Sequence, residues 1–239
     1  MPNENSKPSK KKDGGKRRGR TDSSSIAERR ASLVSVRKHA APMSQRGAPS
    51  PARRKTLRRV RVHPIDLDIL VQATLAAWTD IFESSFGSKR FKIGKDFKPK
   101  PQIMGFLLHA LIPLELESRC AGAYRCDAAG HDKDLVCIED NQFSIEIKTS
   151  SHPTSVFGNR SYAQTPASGR RVKDRSGYLL AVNFEKFSDS AAPSIRKIRF
   201  GWVDGADWVG QVAQSGQQAH LTTEAEREKL IQLFPVREI

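Results

Sequence analysis

Residues 133–149 decide the fold, and they read Lys-Asp-Leu-Val-Cys-Ile-Glu-Asp-Asn-Gln-Phe-Ser-Ile-Glu-Ile-Lys-Thr. Two apolar runs, at residues 135–138 and 143–147, flank a polar turn whose Asp and Asn tolerate tight backbone geometry. The pattern predicts a β-hairpin. Because side chains alternate between the two faces of a strand, Glu146 and Lys148 share one face, and the isoleucines beside them point into the core.

The register of this hairpin tests whether its charged residues form one site. Asp134 lies at the start of the first strand, and it faces the same way as Glu146 if the numbers of opposed residues add up to an even total or if a bulge interrupts the pairing. Glu139 opposite Phe143 is one such pairing. An odd total would place Asp134 on the other side of the sheet. Asp132 has the same parity and is the alternative acid.

Hydrolysis of a phosphodiester needs a metal held by oxygen ligands, an activated water and positive charge near the phosphate. The carboxylates of Asp134 and Glu146 and the carbonyl of Ile147 can bind Mg²⁺ and leave positions for water and phosphate. Lys148 can orient the attacking water or help to deprotonate it. The sequence therefore predicts a metal-dependent nuclease with catalytic Asp134, Glu146 and Lys148 and with Mg²⁺ as cofactor.

The three cysteines favour a reducing compartment, because they are odd in number and unevenly spaced. Cys120, Cys126, His131 and Cys137 could be read as a zinc set, but they lack the C-x-x-C spacing of a chelate, so buried small residues and a loop histidine are the preferred interpretation. The sequence shows neither an apolar signal segment nor a long uncharged span. We therefore expect a cytoplasmic protein without a membrane partner.

The charge is concentrated in the first quarter of the chain. Residues 1–61 hold 19 of the 41 Lys and Arg and 4 of the 26 Asp and Glu, which accounts for the whole net charge of +15, and residues 62–239 hold 22 of each sign. The first segment is also rich in Ser, Pro and Gly and poor in aromatic residues. It predicts a disordered basic tail that attracts nucleic acid or only increases solubility. Residues 62–239 are expected to form one domain.

Hydrophobic periodicity predicts helices over residues 64–84, from Pro101 onward and over residues 223–233, and Pro113 is expected to kink or shorten the second of them. Three further strands are predicted, at residues 123–126, 177–184 and 195–203. Helices followed by a short mixed sheet indicate an α/β or α+β domain. They do not describe a barrel or a sandwich.

Residues 149–164 leave the second strand directly and are dense in side chains that donate and accept hydrogen bonds. Asn, Gln and Arg match the edges of bases, and Ser or Thr can contact phosphates. A basic loop follows, which could hold the DNA backbone or be only a solvated turn. The expected DNA-binding residues are Ser150, Ser151, His152, Asn159, Arg160, Ser161, Tyr162 and Gln164, with Arg170, Arg171 and Lys173 in the loop.

The acid followed by Glu146-Ile147-Lys148 resembles the PD-(D/E)XK nuclease pattern, with Lys133 in place of the usual Pro. Four stretches are also similar to the ScaI-type family of type II restriction endonucleases. They are Glu-Ile-Lys-Thr-Ser-Ser-His at residues 146–152, Phe-Gly-Asn-Arg-Ser-Tyr-Ala-Gln at 157–164, Gly-Tyr-Leu-Leu-Ala-Val-Asn-Phe at 177–184, and Ile-Arg-Phe-Gly-Trp-Val-Asp at 198–204.

This resemblance covers about residues 67–233. It implies a restriction-endonuclease-like fold, a central mixed sheet flanked by helices, and Mg²⁺-dependent cleavage of double-stranded DNA at a short palindrome. It also implies a homodimer and a DNA methyltransferase as genetic partner. Nucleases of this fold often add a carboxylate from the helix before the sheet, so Glu117, in preference to Glu115, is a further candidate metal ligand; a solvated helix end is the alternative. Two alternatives stay open, namely a repair- or structure-directed nuclease of the same fold and a DNA-binding module without catalysis.

Overall fold

The computed structural model describes residues 48–163, 174–211 and 218–236. The helices are α1 (Pro51–Val62), α2 (Leu67–Glu83), α3 (Pro101–Arg119) and α4 (Thr223–Glu228). The strands are β1 (Tyr124–Cys126), β2 (Leu135–Cys137), β3 (Ile145–Ser150), β4 (Phe157–Asn159), β5 (Gly177–Phe184), β6 (Ile195–Val203), β7 (Trp208–Gly210), β8 (Gln218–Leu221) and β9 (Leu230–Phe234).

The main sheet has six strands in the order β1-β2-β3-β5-β6-β9. The pair β3 and β5 is parallel, and the other neighbouring pairs are antiparallel. The expected α/β fold with a mixed sheet flanked by helices is confirmed. None of the helices in the three described segments is both long and apolar enough to cross a membrane.

One face of the main sheet packs against α2 and α3. Leu70 of α2 and Leu108 of α3 are fully buried there, in one cluster with Ile145, Ile147 and Leu180 of the sheet. The helices present their apolar stripe at a period of 3.6 residues, and the strands present every second residue, so the two patterns meet in one core. This face therefore carries most of the apolar burial.

The opposite face is covered by a second sheet in the order β4-β8-β7, which the sequence patterns did not predict. Its apolar residues join Leu179 of the main sheet in a separate cluster that includes Val156, Trp208, Ala219 and Leu221. Each of its strands has only three or four residues. Such short strands give too little alternation to be recognised by periodicity.

Helix α1 begins about eleven residues before the domain boundary expected at residue 62. The Ser50 side chain caps this helix by accepting a hydrogen bond from the Arg53 N–H at 3.0 Å. Thr56 and Val60 are buried, and the Arg53 guanidinium donates to the Leu230 carbonyl at 2.7 Å. The sequence pattern did not predict this helix, because its many basic residues leave only a few apolar positions that face the core. Residues 1–47 lie outside the described segments, so the basic tail stays a prediction.

Two further corrections concern helix ends. The helix expected over residues 223–233 stops at Glu228, and the chain continues as β9 along the edge of β6, with Leu230 opposite Gly201. A Cβ atom on Gly201 would lie 1.9 Å from the Lys229 carbonyl oxygen, so this glycine permits the close pairing. Pro113 does not shorten α3, which runs through it to Arg119.

Candidate active site

The register of β2 and β3 is the one that the site requires. Leu135 lies opposite Ile145, so opposed residue numbers add up to an even total, and this register extended by one residue sets Asp134 against Glu146. The example pairing of Glu139 with Phe143 does not occur, because a 3₁₀ turn at Asn141–Phe143 occupies the connection. The expected even total is therefore confirmed, but at the pair Leu135–Ile145 and not at Glu139–Phe143.

Asp134, Glu146 and Lys148 form one compact cluster. An oxygen of Asp134 (Oδ2) accepts the Ile147 backbone N–H at 2.6 Å and lies 3.9 Å from the Lys148 ammonium. Lys148 also donates to Glu146 Oε1 and, at 3.2 Å, to the Ile147 carbonyl. Asp134 is 7% exposed and Glu146 is 4% exposed. The structure thus gathers the three expected residues, with the Ile147 carbonyl beside them.

Asp132 lies outside this cluster. Its Oδ2 accepts hydrogen bonds from the Ala128 N–H and the Arg125 guanidinium, both at 3.1 Å. These two donors, the backbone N–H first, hold the pKa of Asp132 below its ordinary value. Asp132 therefore stabilises the β1–β2 connection, and Asp134 is the aspartate that lies beside Glu146 and Lys148.

Glu117 also lies away from the cluster, although it was expected as a further metal ligand. Its carboxylate contacts the Cys126 thiol, whose pKa burial raises to about 12 with a contribution from Glu117. The α3 residue that does contact Asp134 is His109, and eight residues along a helix correspond to about 12 Å. Glu117 is thus too far along α3 to reach the same oxygen as His109.

The donors at the cluster are all oxygen atoms, namely two carboxylates and one backbone carbonyl. Oxygen ligands of this kind suit Mg²⁺, which binds few protein groups and keeps several waters. Within the described segments, no group of three or more His, Cys, Asp or Glu side chains is placed to hold a metal. The cysteines and His131 thus do not assemble the zinc set that their spacing left open.

His109 is a site residue that sequence reasoning missed. Its Nε2 lies 3.3 Å from Asp134 Oδ2, and its side chain is 40% exposed. One turn earlier, the Thr149 hydroxyl donates to the Gly105 carbonyl at 3.0 Å, and a Cβ atom on Gly105 would lie 3.2 Å from that hydroxyl. The glycine lets α3 approach β3 closely and brings His109 to the acid. A glycine and a histidine four residues apart carried no sequence signal of this contact.

A cleft of about 960 Å³ opens beside the cluster, between the first half of α3 and the ends of β3 and β4. Its walls include Lys148 and His109. They also include four of the expected DNA-binding residues, namely Ser150, Ser151, His152 and Asn159. The segment that the sequence marked for DNA contact therefore lines a cavity adjoining the acidic cluster.

A buried polar network holds the loop at residues 151–156, which forms one side of this cleft. The Asn183 amide donates to the His152 carbonyl at 2.8 Å and to the Ser155 carbonyl at 3.1 Å, and its oxygen accepts from Arg199 at 2.8 Å. Arg199 in turn lies 3.5 Å from Glu226. Burial lowers the pKa of Arg199, but the Glu226 carboxylate opposes that effect. The loop is thus held in place by buried polar groups on β5, β6 and α4.

Tyr162 was expected to contact DNA, but the structure turns it inward. It is 9% exposed and its hydroxyl donates to Glu146 Oε1. Burial and the adjacent negative charge of Glu146 raise the pKa of Tyr162 above its ordinary value, so it keeps its proton at neutral pH. Ser161 is exposed on the 3₁₀ turn Arg160–Ala163. The other expected contacts, Gln164, Arg170, Arg171 and Lys173, lie outside the described residues.

A mixed sheet flanked by helices, with an acid opposite the Glu146-Ile147-Lys148 strand, defines the restriction-endonuclease-like class of PD-(D/E)XK proteins. The sequence model of the family described as ScaI restriction endonuclease matches residues 52–234. The Type II restriction enzyme ScaI of Streptomyces caespitosus is 50% identical over 171 residues, which are 70% of this chain and 74% of that enzyme. This chain therefore belongs to the ScaI restriction endonuclease family.

The matched residues run from α1 to the end of β9, so they include the whole cluster and the cleft beside it. The resemblance stated from short motifs is confirmed. The match also begins ten residues before the domain boundary expected at residue 62, in agreement with the position of α1.

Proposed function

We propose that the protein is a Mg²⁺-dependent endonuclease that cleaves double-stranded DNA at a short palindromic sequence. The observation that carries this proposal is the cluster of Asp134, Glu146 and Lys148 on one face of the sheet, next to a cleft lined by hydrogen-bonding residues. Family membership supports the choice of DNA and of specific sites, since the Streptomyces relative is named a type II restriction enzyme.

The cluster suits a magnesium ion in its donor atoms. Asp134, Glu146 and the Ile147 carbonyl would hold the ion. In the absence of the ion, the Lys148 ammonium balances the negative charge of the two carboxylates. When bound, Mg²⁺ supplies a Lewis acid that polarises the phosphate and makes water more acidic. Glu117 is not part of this proposed ligand set.

The residues of the chain supply orientation and charge for hydrolysis. The Ile147 N–H and His109 hold one oxygen of Asp134 in place. Lys148 lies at the cleft wall, where its ammonium can orient the attacking water and balance the charge that develops on the phosphate. Water adds to phosphorus and loses a proton, while the bond from phosphorus to one sugar oxygen breaks and that oxygen takes up a proton.

DNA binding is assigned to the cleft and its rim. Ser151, His152 and Asn159 would contact phosphates or base edges, and Ser161 would extend that surface. Ser150 is mostly buried, and its hydroxyl accepts the His152 N–H at 3.1 Å, so it shapes the loop. Contacts to individual bases are therefore expected from the exposed residues of the cleft rim and not from Ser150.

A homodimer and a modification partner complete the proposal. Three apolar side chains of α3 are more than half exposed on one side of the helix, namely Ile103, Phe106 and Leu114. This stripe borders the cleft through Phe106 and offers a contact for a second copy, so sedimentation should give twice the mass of the chain. A DNA methyltransferase gene beside this one would fit a restriction system, because such an enzyme otherwise endangers the DNA of its host.

Supercoiled plasmid incubated with the protein and Mg²⁺ tests the activity. Discrete fragments are expected from cleavage at defined sequences. Smeared or branch-selective products would instead identify a repair- or structure-directed nuclease. Intact plasmid with a shift in electrophoretic mobility would identify a DNA-binding module without catalysis.

Lys148→Ala tests the mechanism. We expect the cleavage rate to fall by at least about 10³-fold, which corresponds to about 4 kcal/mol of transition-state stabilisation, while DNA binding measured with Ca²⁺ stays near the wild-type value. Lys186→Ala is the matched control, because it removes a positive charge from the same cleft outside the cluster. Any loss in this variant should be in DNA affinity, and the cleavage rate at saturating DNA should stay near the wild-type value. A fully active Lys148→Ala variant would contradict the proposed site.

A further inference from the structure

Tyr162 contacts two of the three clustered residues. Its hydroxyl donates to Glu146 Oε1, and the same oxygen accepts a hydrogen bond from Lys148. The Lys148 ammonium also lies 5.2 Å from the centre of the Tyr162 ring, within the range of a cation–π interaction. The tyrosine thus limits the positions that both Glu146 and Lys148 can adopt.

The second sheet fixes the Tyr162 ring from behind. The ring centre lies 4.7 Å from that of Trp208 on β7. Gly158 on β4 packs against both rings, since a Cβ atom there would lie 3.1 Å from Trp208 and 3.2 Å from Tyr162. The Arg175 guanidinium donates to the Tyr162 carbonyl at 3.2 Å. The hydroxyl is therefore aimed at Glu146 by contacts on three sides.

The chain around Tyr162 also faces the cleft. Gly158 and Asn159, at the end of β4, line the cavity, and Tyr162 follows them within one 3₁₀ turn. A displacement of β4 by bound DNA would move the tyrosine ring, because Gly158 and Tyr162 are in contact and separated by only three residues. One short segment thus touches both the proposed DNA surface and the proposed metal ligand.

We propose that Tyr162 is a positioning residue that couples occupation of the cleft by cognate DNA to the placement of Glu146. The tyrosine acts through Glu146 and does not touch the substrate. This inference rests on the proposed function, because it requires Glu146 to hold the metal. Hydrogen bonds to metal-binding carboxylates orient them, and their removal typically lowers metal affinity or activity about 10- to 100-fold.

Tyr162→Phe tests the coupling, since it removes the hydroxyl and keeps the ring between Trp208 and Lys148. We expect the rate of single-turnover cleavage of cognate DNA to fall about 10- to 100-fold and the Mg²⁺ concentration for half-maximal rate to rise. The affinity for cognate DNA measured with Ca²⁺ should stay near wild type. The ratio of cognate to non-cognate cleavage should decrease, because the link acts only when the cleft is correctly filled.

Tyr178→Phe is the matched control. The Tyr178 hydroxyl donates to the Arg59 carbonyl at 2.9 Å on the helix-covered face, so its loss should change the melting temperature and leave the Mg²⁺ dependence unchanged. Arg175→Gln is a second variant, which loosens the turn without removing the hydroxyl. It should shift the Mg²⁺ dependence in the same direction as Tyr162→Phe and to a smaller extent.

The outcomes separate this inference from the proposed function. If the wild-type protein does not cleave DNA with Mg²⁺, the proposed function fails and the coupling fails with it. If the wild type cleaves DNA and Glu146→Gln does so at the same rate, the proposed metal site and the coupling fail, but the nuclease activity stands. If Glu146→Gln is inactive but both Tyr162→Phe and Arg175→Gln keep the wild-type rate and Mg²⁺ dependence, only the coupling is overturned. If Tyr162→Phe does not fold, the Mg²⁺ dependence of Arg175→Gln tests the coupling, and its melting temperature shows whether that variant is folded.

Discussion

The two faces of β3 are both buried, but they differ in chemistry. Ile145 and Ile147 are fully buried against α2 and α3, where removal of apolar surface from water stabilises the fold by about 25 cal/mol per Å². Glu146 and Lys148 lie on the other face, and Glu146 is only 4% exposed. Burying charges requires partners to offset their lost hydration. Adjacent residues of β3 thus have different tasks: the isoleucines stabilise the core, and the charged residues between them form the candidate site.

The rest of the second-sheet face shows the same trend. Asn183 and Arg199 are buried there and are held by hydrogen bonds to loop carbonyls and by the Arg199–Glu226 ion pair. The helix-covered face instead buries a histidine, His63, among aromatic rings. Polar groups on the second-sheet face position the cleft, whereas those on the helix-covered face must fit an apolar core.

The largest expected loss of stability comes from truncating one apolar side chain on each face of the sheet, at adjacent positions of β5. Leu180 lies beside Ile147 on the helix-covered face, and Leu179 lies beside Glu146 on the second-sheet face. Either change to Ala should lower the free energy of unfolding by about 2–5 kcal/mol, measured by urea denaturation. Below the melting transitions, only Leu179→Ala should also slow cleavage. Equal cleavage rates for the two variants would break the comparison of the faces.

His63 gives the helix-covered face a pH dependence of intermediate size. Burial lowers the pKa of His63 to about 4, although the Phe143 carbonyl opposes the effect. Between that value and the ordinary pKa of about 6.5, the unfolded chain binds a proton that the folded protein does not. The contribution is fully present above pH 6.5 and is lost as the pH falls to 4, by about 3 kcal/mol.

Urea denaturation of the wild type and of His63→Gln at pH 7 and pH 4.5 measures this effect. The wild type should lose more stability than the variant over that interval, because glutamine does not titrate. A variant with the same loss as the wild type would place the acid sensitivity elsewhere, for example in the carboxylates of the second-sheet face.

The smallest expected effect is at Asn183, which supports the cleft loop. Asn183→Ala leaves two part-buried carbonyls and a buried Arg199 donor without this partner, which should cost about 1–3 kcal/mol of stability. Amide hydrogen exchange should accelerate in residues 151–156 more than in α2. Exchange that rises uniformly across the protein would show that the network stabilises the whole fold instead of the loop.

Sequence patterns predicted the elements whose periodicity is long enough to recognise. The expected bounds of β5 and β6 match the observed strands, and α2 and α3 appear where their apolar stripes placed them. The pattern misled at β9, since residues 230–234 have the composition of a helix end but complete the edge of the sheet. Edge pairing is a tertiary contact, and it outweighs local propensity.

At the site, local spacing determined most of the cluster. Glu146 and Lys148 share a face because strands alternate, and a short connection to Asp134 left few registers possible. Only the tertiary structure distinguishes Asp132 from Asp134, because both residues have the same parity. The inward turn of Tyr162 also depended on a neighbour, Trp208, that lies 46 positions away in the chain and carries no local signal.

The sequence by itself determined the mixed α/β fold, the acid and Glu-x-Lys pair, and the polar segment beside them, because these follow from alternation and composition within a few residues. Only the tertiary structure decided that α1 belongs to the domain, that Glu117 points elsewhere, and that His109 and Tyr162 reach the carboxylates. Such contacts join residues far apart in the chain. They depend on how closely helices and sheets can pack, which no local pattern records.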